Sequence, residues 1–314
     1  MAPLSKSSSP PWVESVIRAA GGIRRRVMEH TISNNGGYLS QACCAAEILA
    51  TLYLKTMRLG PSTAPMVPVP FPGVPGPGNR NYSTGGMYHG AATADSDRFY
   101  LSPAHYALVL YAALIEAGRM APEGLAQFNR DGSTVEMIGA EHSPGFSMMG
   151  GALAQTLSQA AGVALARKLK GETGRVWVFL SDGEFQEGQT WETLAALAFY
   201  RLDRVAVYVD VNGQQCDGET KNVMTTEPLD KRIESFGGRS VVVDGHDPAA
   251  LDASAGLEPD GRALFVLCRT DPCRGIPLLN DRRPRLHYVR FTSPEERERY
   301  RSWYTEHMLN GGRG

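Results

Sequence analysis

The sequence predicts an α/β fold of three layers, with a mostly parallel central sheet flanked by helices. Short apolar runs are followed by longer segments with helical periodicity, the pattern of strand–helix–strand units. The clearest unit has an apolar run at 176–180, a helix from about 188 to 200, and a second apolar run at 205–209. A run of about 18 apolar residues, as a membrane span needs, does not occur.

Composition limits the classes of function. The chain has 314 residues, is 42% hydrophobic and carries a net charge of −1. It can bury a sizeable core, and it has no overall field that would favour nucleic acid or an acidic membrane surface. The short basic run at 24–26 is expected on a solvated helix face, or else near an anionic substrate group. An odd number of cysteines without paired metal spacing suits a reducing cytosol, so we expect a cytoplasmic protein. They are Cys43, Cys44, Cys216, Cys268 and Cys273.

The domain organisation is predicted from composition along the chain. Residues 1–11 are expected to be a disordered leader without the apolar core of a signal peptide. Residues 12–290 form one binding domain, interrupted at 60–94 by a Pro/Gly-rich insertion. Such a long segment is a partner-facing loop, a substrate-covering loop or a disordered one, and His89 within it is expected at the surface. Residues 291–314 are expected to be an exposed, charged helix and a tail.

Two oxygen-bearing side chains follow the strands of the clearest unit. Asp182 ends the first strand and Asn212 follows the second, and each is followed by a glycine. Ligands of an open parallel sheet bind beyond the carboxyl ends of its strands, so we expect these side chains to lie side by side. Their oxygens, with a backbone carbonyl after Asn212, suit Mg²⁺ bound to a diphosphate. Each residue alone more often caps the next element. The pair favours a metal–diphosphate site, where Gly183 is expected to allow a tight backbone turn.

Two further features point to the same edge of the sheet. Gly150 and Gly151 precede a helix of small and apolar residues, and a glycine-rich turn at a helix start can bind an anion. By itself this signal is weak. His105 lies where the predicted strand near residues 97–102 turns into an apolar helix. Most single histidines are structural, but this position favours a role at the binding edge.

These motifs resemble those of the transketolase family. Asp182-Gly183, followed after nearly thirty residues by Asn212, resembles the thiamine diphosphate motif, although Ser181 stands where its first glycine would be. The residues 187–192 and 212–213 resemble the transketolase version in particular. Three more blocks occur in family order, and the resemblance covers about residues 13–300. The blocks are 36–55, 97–105 and 143–168.

Three departures from the family pattern bear on the substrate and the cofactor. Tyr38 stands where many transketolases have a histidine that touches the sugar. Ala154 and Thr156 replace two glycines of the cofactor block. His287 aligns with a family histidine but lacks the neighbouring Trp and Gly.

The resemblance implies transfer of a two-carbon ketol unit from a ketose to an aldehyde, with thiamine diphosphate and Mg²⁺ as cofactors. Because it stops where a second domain would begin, it implies the N-terminal half of a split transketolase. Such a chain needs a C-terminal-half partner, as a heterotetramer, and takes a small sugar as substrate. No nucleic acid or membrane partner is expected.

The resemblance also implies roles for individual residues. The metal would be held by Asp182, Asn212 and the backbone carbonyl of Gln214. The cofactor would be lined by Gly151, Leu153, Gly183 and Glu184, with Glu187 at the partner interface. The catalytic residues handling hydroxyls and protons would be His105 and His287.

Two alternatives stay open on the sequence alone. One is another thiamine diphosphate enzyme, such as the α subunit of a 2-oxo acid dehydrogenase or another carboligase. The other is a non-catalytic homologue that kept the fold.

Overall fold

The computed structural model describes residues 10–80, 82 and 84–310, so most of the predicted leader and residues 311–314 lie outside the described part. The strands in that part are β1 (Gly36–Gly37), β2 (Arg98–Leu101), β3 (Val176–Ser181), β4 (Val205–Val211), β5 (Gln214–Gln215), β6 (Gly218–Glu219), β7 (Arg239–Asp244), β8 (Leu264–Arg269) and β9 (Val289–Arg290). The α-helices there are α1 (Pro11–Ser33), α2 (Leu39–Thr51), α3 (Ala107–Glu116), α4 (Gln155–Leu169), α5 (Gly188–Phe199), α6 (Thr220–Val223), α7 (Leu229–Ser235), α8 (Pro248–Ala255) and α9 (Pro294–Tyr304).

The central sheet has five parallel strands in the order β2-β3-β4-β8-β7. Helices cover both faces, because alternate strand residues point to opposite sides. Trp177 and Phe179 pack into the core formed with α1, α2 and α3. Val178 and Leu180 pack into a second core, formed with α4 and α5. The predicted three-layer α/β fold is therefore confirmed.

The observed elements differ from the predicted ones mainly at their ends. The strand expected at 205–209 continues to Val211, because Asp210 is buried in the sheet with hydrogen-bond partners of its own. The helix expected to open at Gly150-Gly151 begins only at Gln155, after a turn.

The Pro/Gly-rich insertion packs onto the segment 119–134. The backbone N–H of Ala121 donates to the carbonyl of Met66 at 2.7 Å, and that of Phe71 donates to Gly132 at 2.8 Å. Backbone hydrogen bonds therefore connect the described residues of the insertion to this neighbouring segment.

His89 lies in the core, so the expectation of a surface histidine is wrong. It is 7% exposed, and its ring is 2.8 Å from the Tyr53 hydroxyl. Burial lowers the pKa of His89 to about 3, which means that it is neutral at physiological pH.

Two helix faces that are expected to be charged and exposed also bury some of their residues. Arg24 is buried and forms an ion pair with Glu47. The C-terminal helix α9 buries Tyr300 and Tyr304 in the core shared with α1, and Arg297 donates to the carbonyl of Ile32 at 2.6 Å. None of the helices in the described part of the chain is long and apolar enough to cross a lipid bilayer.

Asp97 joins three segments at the amino end of the sheet. It is 3% exposed, and its carboxylate accepts hydrogen bonds from the backbone N–H of Arg58 and Arg175, both at 2.8 Å. The indole N–H of Trp177 donates to it at 2.9 Å. Each of these donors would be left without a partner if the carboxylate were removed.

We expect Asp97→Ala to lower the free energy of unfolding by roughly 2–4 kcal/mol, since it leaves the buried indole N–H of Trp177 and two part-buried backbone N–H groups without their acceptor. Urea unfolding followed by circular dichroism measures the change. The control is Asp95→Ala, which removes an exposed carboxylate that accepts a hydrogen bond from Thr93 and should leave stability almost unchanged. Equal losses in the two variants would contradict the role given to Asp97.

Candidate active site

Asp182 lies at the carboxyl end of β3 with one oxygen unused. The residue is 2% exposed. Its Oδ2 accepts a hydrogen bond from the backbone N–H of Gly213 at 3.1 Å, whereas Oδ1 has no hydrogen-bond partner among the described residues. Burial, followed by the nearby charge of Asp210, raises the pKa of Asp182 to about 7. A buried carboxylate with a free oxygen is suited to meet a cation.

Asn212 lies beside Asp182, just beyond the end of β4. Its amide nitrogen donates to Asp210 Oδ2 at 3.0 Å and to the Tyr106 hydroxyl at 3.1 Å. Its amide oxygen accepts from the backbone N–H of Gln214 at 2.8 Å. The contact between Asp182 and Gly213 shows that the two strand ends meet, as their parallel pairing requires.

A cavity of about 320 Å³ lies at this edge of the sheet. Most of the predicted site residues line it: Gly151, Leu153, Gly183, Glu187, Asn212, Gln214, His105 and His287. Asp182 borders a neighbouring cavity of about 400 Å³, which shares Asn212 and Gln214 with the first. The metal-ligand candidates therefore lie where two cavities meet.

Glu184 lines neither cavity. It is fully buried, and its carboxylate accepts hydrogen bonds from the Ser102 hydroxyl and from the backbone N–H of Ala154 and Ser181, the last two at 2.9 Å. Glu184 therefore ties the end of β3 to the turn before α4. Ala154 in that turn has φ of +69°, a conformation that costs a residue with a Cβ about 1–2 kcal/mol.

The two glycines of the cavity wall, Gly151 and Gly183, differ in backbone conformation and in the space around them. Gly151 has φ of +100°, and a Cβ there would lie 2.7 Å from Ile138 Cγ2. Gly183 does not have a positive φ, and a Cβ on it would meet nothing within 4 Å. The expected backbone role of Gly183 is therefore wrong: it leaves open space beside Asp182.

His105 and His287 lie next to each other in the cavity wall, with ring centroids 4.8 Å apart. The Tyr38 ring lies 5.6 Å from both. Burial, and then the neighbouring His287, lower the pKa of His105 to about 3. Burial also lowers the pKa of His287. Both rings are thus neutral near pH 7, and each offers one N–H donor and one acceptor nitrogen.

Three residues at the site were not identified from the sequence: Asp210, Tyr106 and Thr270. Asp210 is fully buried, and the hydroxyls of Tyr106 and Thr270 donate to it. A signal for Asp210 exists, because residues two apart on a strand share a face and Asp210 precedes Asn212 by two. No local pattern predicts the contacts of Tyr106 and Thr270 with Asp210, because both residues are distant from it in the sequence.

The residues present fit a magnesium-bound diphosphate. The free oxygen of Asp182 and the amide oxygen of Asn212 are hard donors of the kind that Mg²⁺ takes. The open space at Gly183 leaves room for a ligand to approach the backbone.

The two glycines give a matched pair of substitutions. We expect Gly151→Ala to lower the free energy of unfolding by roughly 1–3 kcal/mol, because alanine would be strained at φ of +100° and would clash with Ile138. Gly183→Ala should stay within about 0.5 kcal/mol of wild type. Urea unfolding of both variants tests this, and similar losses in the two would contradict it.

The raised pKa of Asp182 predicts a pH-dependent effect of Asp182→Asn. The folded chain holds this proton up to about pH 7, whereas the unfolded chain loses it near pH 4, so wild-type stability falls as pH rises through that window. The neutral amide avoids this cost. Without divalent cations, we expect Asp182→Asn to be more stable than wild type at pH 8 by a few kcal/mol, at about 1.4 kcal/mol per pKa unit.

This gain should shrink towards pH 4, where wild-type Asp182 is itself protonated. Urea unfolding of both proteins at several pH values, in the presence of a chelator, measures the difference. A difference in stability that does not change with pH would contradict the raised pKa of Asp182.

Comparison with known proteins identifies the family. The model of the transketolase thiamine diphosphate binding domain matches residues 88–282. A transketolase family protein of Sinorhizobium fredii, y4mO, is 33% identical over 90% of this chain and 92% of its own length. One of the subunits of the apulose-4-phosphate transketolase of Actinobacillus succinogenes is 27% identical over 86% of this chain and 89% of its own.

Solved structures agree with the fold. The transketolase of Campylobacter jejuni superposes with a TM-score of 0.74 over 95% of this chain, at 17% identity. The match covers 43% of that protein, so the chain spans about two fifths of the length of this transketolase. On the strength of the family model and the Sinorhizobium relative, the chain belongs to the transketolase family.

Proposed function

We propose that this chain is the N-terminal subunit of a split transketolase. It binds Mg²⁺ and thiamine diphosphate and, with a C-terminal-half partner, transfers a two-carbon ketol unit from a ketose to an aldehyde. The observation that carries the proposal is the meeting of Asp182 and Asn212 at neighbouring strand ends, beside a cavity walled by two neutral histidines.

The residues expected around the diphosphate of the coenzyme have different roles in this proposal. Asp182, Asn212 and the backbone carbonyl of Gln214 would hold Mg²⁺. Gly151, Leu153 and Gly183 would border the coenzyme, and buried Glu184 would hold their two turns together. When bound, the thiazolium ring supplies an electron sink for the carbanion of the transferred unit.

His105 and His287 act on the sugar in this proposal. As neutral imidazoles they orient substrate hydroxyls with their N–H groups and accept protons with their other nitrogens. The backbone carbonyl of His287 accepts a hydrogen bond from Gln41 at 3.1 Å, which fixes the segment that carries the ring. Tyr38 packs against both rings and closes one side of the sugar site.

The partner is inferred from a relative and from the surface near the cavity. The Actinobacillus relative, which matches this chain over 89% of its own length, is named as one subunit of a transketolase. Two exposed apolar side chains lie near Gly151 of the cavity wall. Ile138 is 57% exposed and would contact a Cβ at Gly151, and Met149, 63% exposed, is close to Gly151 in the sequence. Exposed apolar side chains close to a residue of the cavity wall favour a subunit that covers the cavity. We propose that the two subunits form a cytoplasmic heterotetramer, with exposed Glu187 at their interface.

An assay of the complex with the C-terminal-half subunit tests the proposal. We expect Mg²⁺-dependent binding of thiamine diphosphate in calorimetry, and ketol transfer from a ketose to an aldehyde in product analysis. Asp182→Ala should abolish both, because it removes a metal ligand. Asp244→Ala, which removes an exposed carboxylate at the end of β7 on the same sheet edge, is the control and should retain both.

Three outcomes would count against the proposal. Cofactor binding that survives Asp182→Ala contradicts the metal assignment. Conversion of 2-oxo acids without ketol transfer favours another thiamine diphosphate carboligase. Failure of the wild-type complex to bind the cofactor favours a non-catalytic homologue.

A further inference from the structure

We propose that Asp210 is a positioning residue that, with Tyr106 and Thr270, orients the amide of Asn212 so that its oxygen faces the Mg²⁺ site. This inference rests on the proposed function. Asp210 does not itself bind the metal; it acts through Asn212.

The carboxylate of Asp210 is fully buried and has three donors. The hydroxyls of Tyr106 and Thr270 each donate to it at 2.5 Å, to different oxygens. The amide nitrogen of Asn212 donates at 3.0 Å to the oxygen that Tyr106 also contacts. These hydrogen bonds offset the cost of burying the carboxylate.

The directions of these hydrogen bonds determine which way the amide points. A carboxylate accepts only, so the Tyr106 proton is used on Asp210, and the Tyr106 oxygen is left to accept from Asn212 at 3.1 Å. Both neighbours of the amide nitrogen are therefore acceptors. The flipped amide would put its oxygen against the carboxylate, which is repulsive at low dielectric.

The amide oxygen is consequently held on the other side. There it accepts from the backbone N–H of Gln214 at 2.8 Å, beside the cavities that Asn212 and Gln214 line together. A ligand that needs no rotation before it meets the ion loses less entropy on binding.

The network is anchored in three parts of the fold. Asp210 lies on β4, Thr270 follows β8, and Tyr106 belongs to the turn that leads into α3. Tyr106 itself is fully buried. The amide orientation is thus supported by the sheet and by a helix, and not by a single loop.

The test uses Asp210→Asn and Tyr106→Phe in the full chain with its partner subunit. The control is Tyr111→Phe, because Tyr111 is an equally buried tyrosine of α3 whose hydroxyl donates to the carbonyl of Glu136 at 2.7 Å. Calorimetry with thiamine diphosphate at a series of Mg²⁺ concentrations gives the Mg²⁺ affinity, and steady-state assays give kcat at saturating Mg²⁺.

We expect Asp210→Asn to weaken Mg²⁺ binding about ten- to a hundred-fold, as is usual for residues that orient metal ligands. Tyr106→Phe should weaken it less, because Asp210 and its bond to Asn212 remain. Tyr111→Phe should stay within about twofold of wild type, and all variants should approach the wild-type kcat at saturating Mg²⁺.

Results that overturn this inference can be told apart from a result that rejects the proposed function. Unchanged Mg²⁺ affinity in Asp210→Asn overturns the inference, as does a fall in kcat that saturating Mg²⁺ does not restore. If Asp210→Asn fails to fold, Tyr106→Phe against Tyr111→Phe decides the question, and equal affinities overturn the inference. Failure of the wild-type complex to bind Mg²⁺ and thiamine diphosphate rejects the proposed function itself.

Discussion

In-register parallel pairing of β3 with β4 brings Ser181 opposite Asp210, so the residues that follow each strand meet at one edge of the sheet. Asp182 then reaches the backbone N–H of Gly213, and Asn212 reaches Asp210 across its own strand end. A shift of register would separate these atoms and turn Asp210 towards the other face. The site therefore depends on the two hydrophobic cores that hold this register, although none of its chemistry lies in them.

The same edge carries an electrostatic cost. Asp182 and Asp210 are both buried, and the charge of Asp210 adds to burial in raising the pKa of Asp182. The two carboxylates differ in their surroundings: Asp210 has three donors, whereas one oxygen of Asp182 has none among the described residues. Hydrogen bonds thus stabilise the carboxylate of Asp210, which would orient Asn212. The carboxylate of Asp182, which would bind the cation, keeps one oxygen without a donor in the described part of the chain. Such a site is less stable when empty than an apolar one would be.

Local patterns in the sequence were sufficient to predict the β–α–β unit and the approach of Asp182 to Asn212, because strand runs and their terminal residues are local signals. The burial of Asp210, Arg24 and His89 could not be predicted in this way. Each is stabilised by a partner distant in the chain, such as Glu47 for Arg24 and Tyr53 for His89. Gly183 shows a further limit of sequence analysis. The glycine correctly indicated a position at the site, but the structure shows open space beside the cavity there and no backbone conformation that requires glycine.

The charge of the cavity wall explains why the metal ligands matter so much to the proposed function. Among the described residues that line the first cavity, Glu187 is the only acidic one and none is lysine or arginine, while burial holds His105 and His287 neutral. The wall of this cavity therefore offers a diphosphate no lysine or arginine from the described part of the chain. The neighbouring cavity, which Asp182 borders, has three basic residues in its lining: Lys221, Arg269 and Arg283. The negative charge of a diphosphate would be balanced by the cation at Asp182 and Asn212, by polar N–H groups and by these basic side chains. In the proposed function, the amide of Asn212 and the unused oxygen of Asp182 are the contribution of the first cavity edge to that balance.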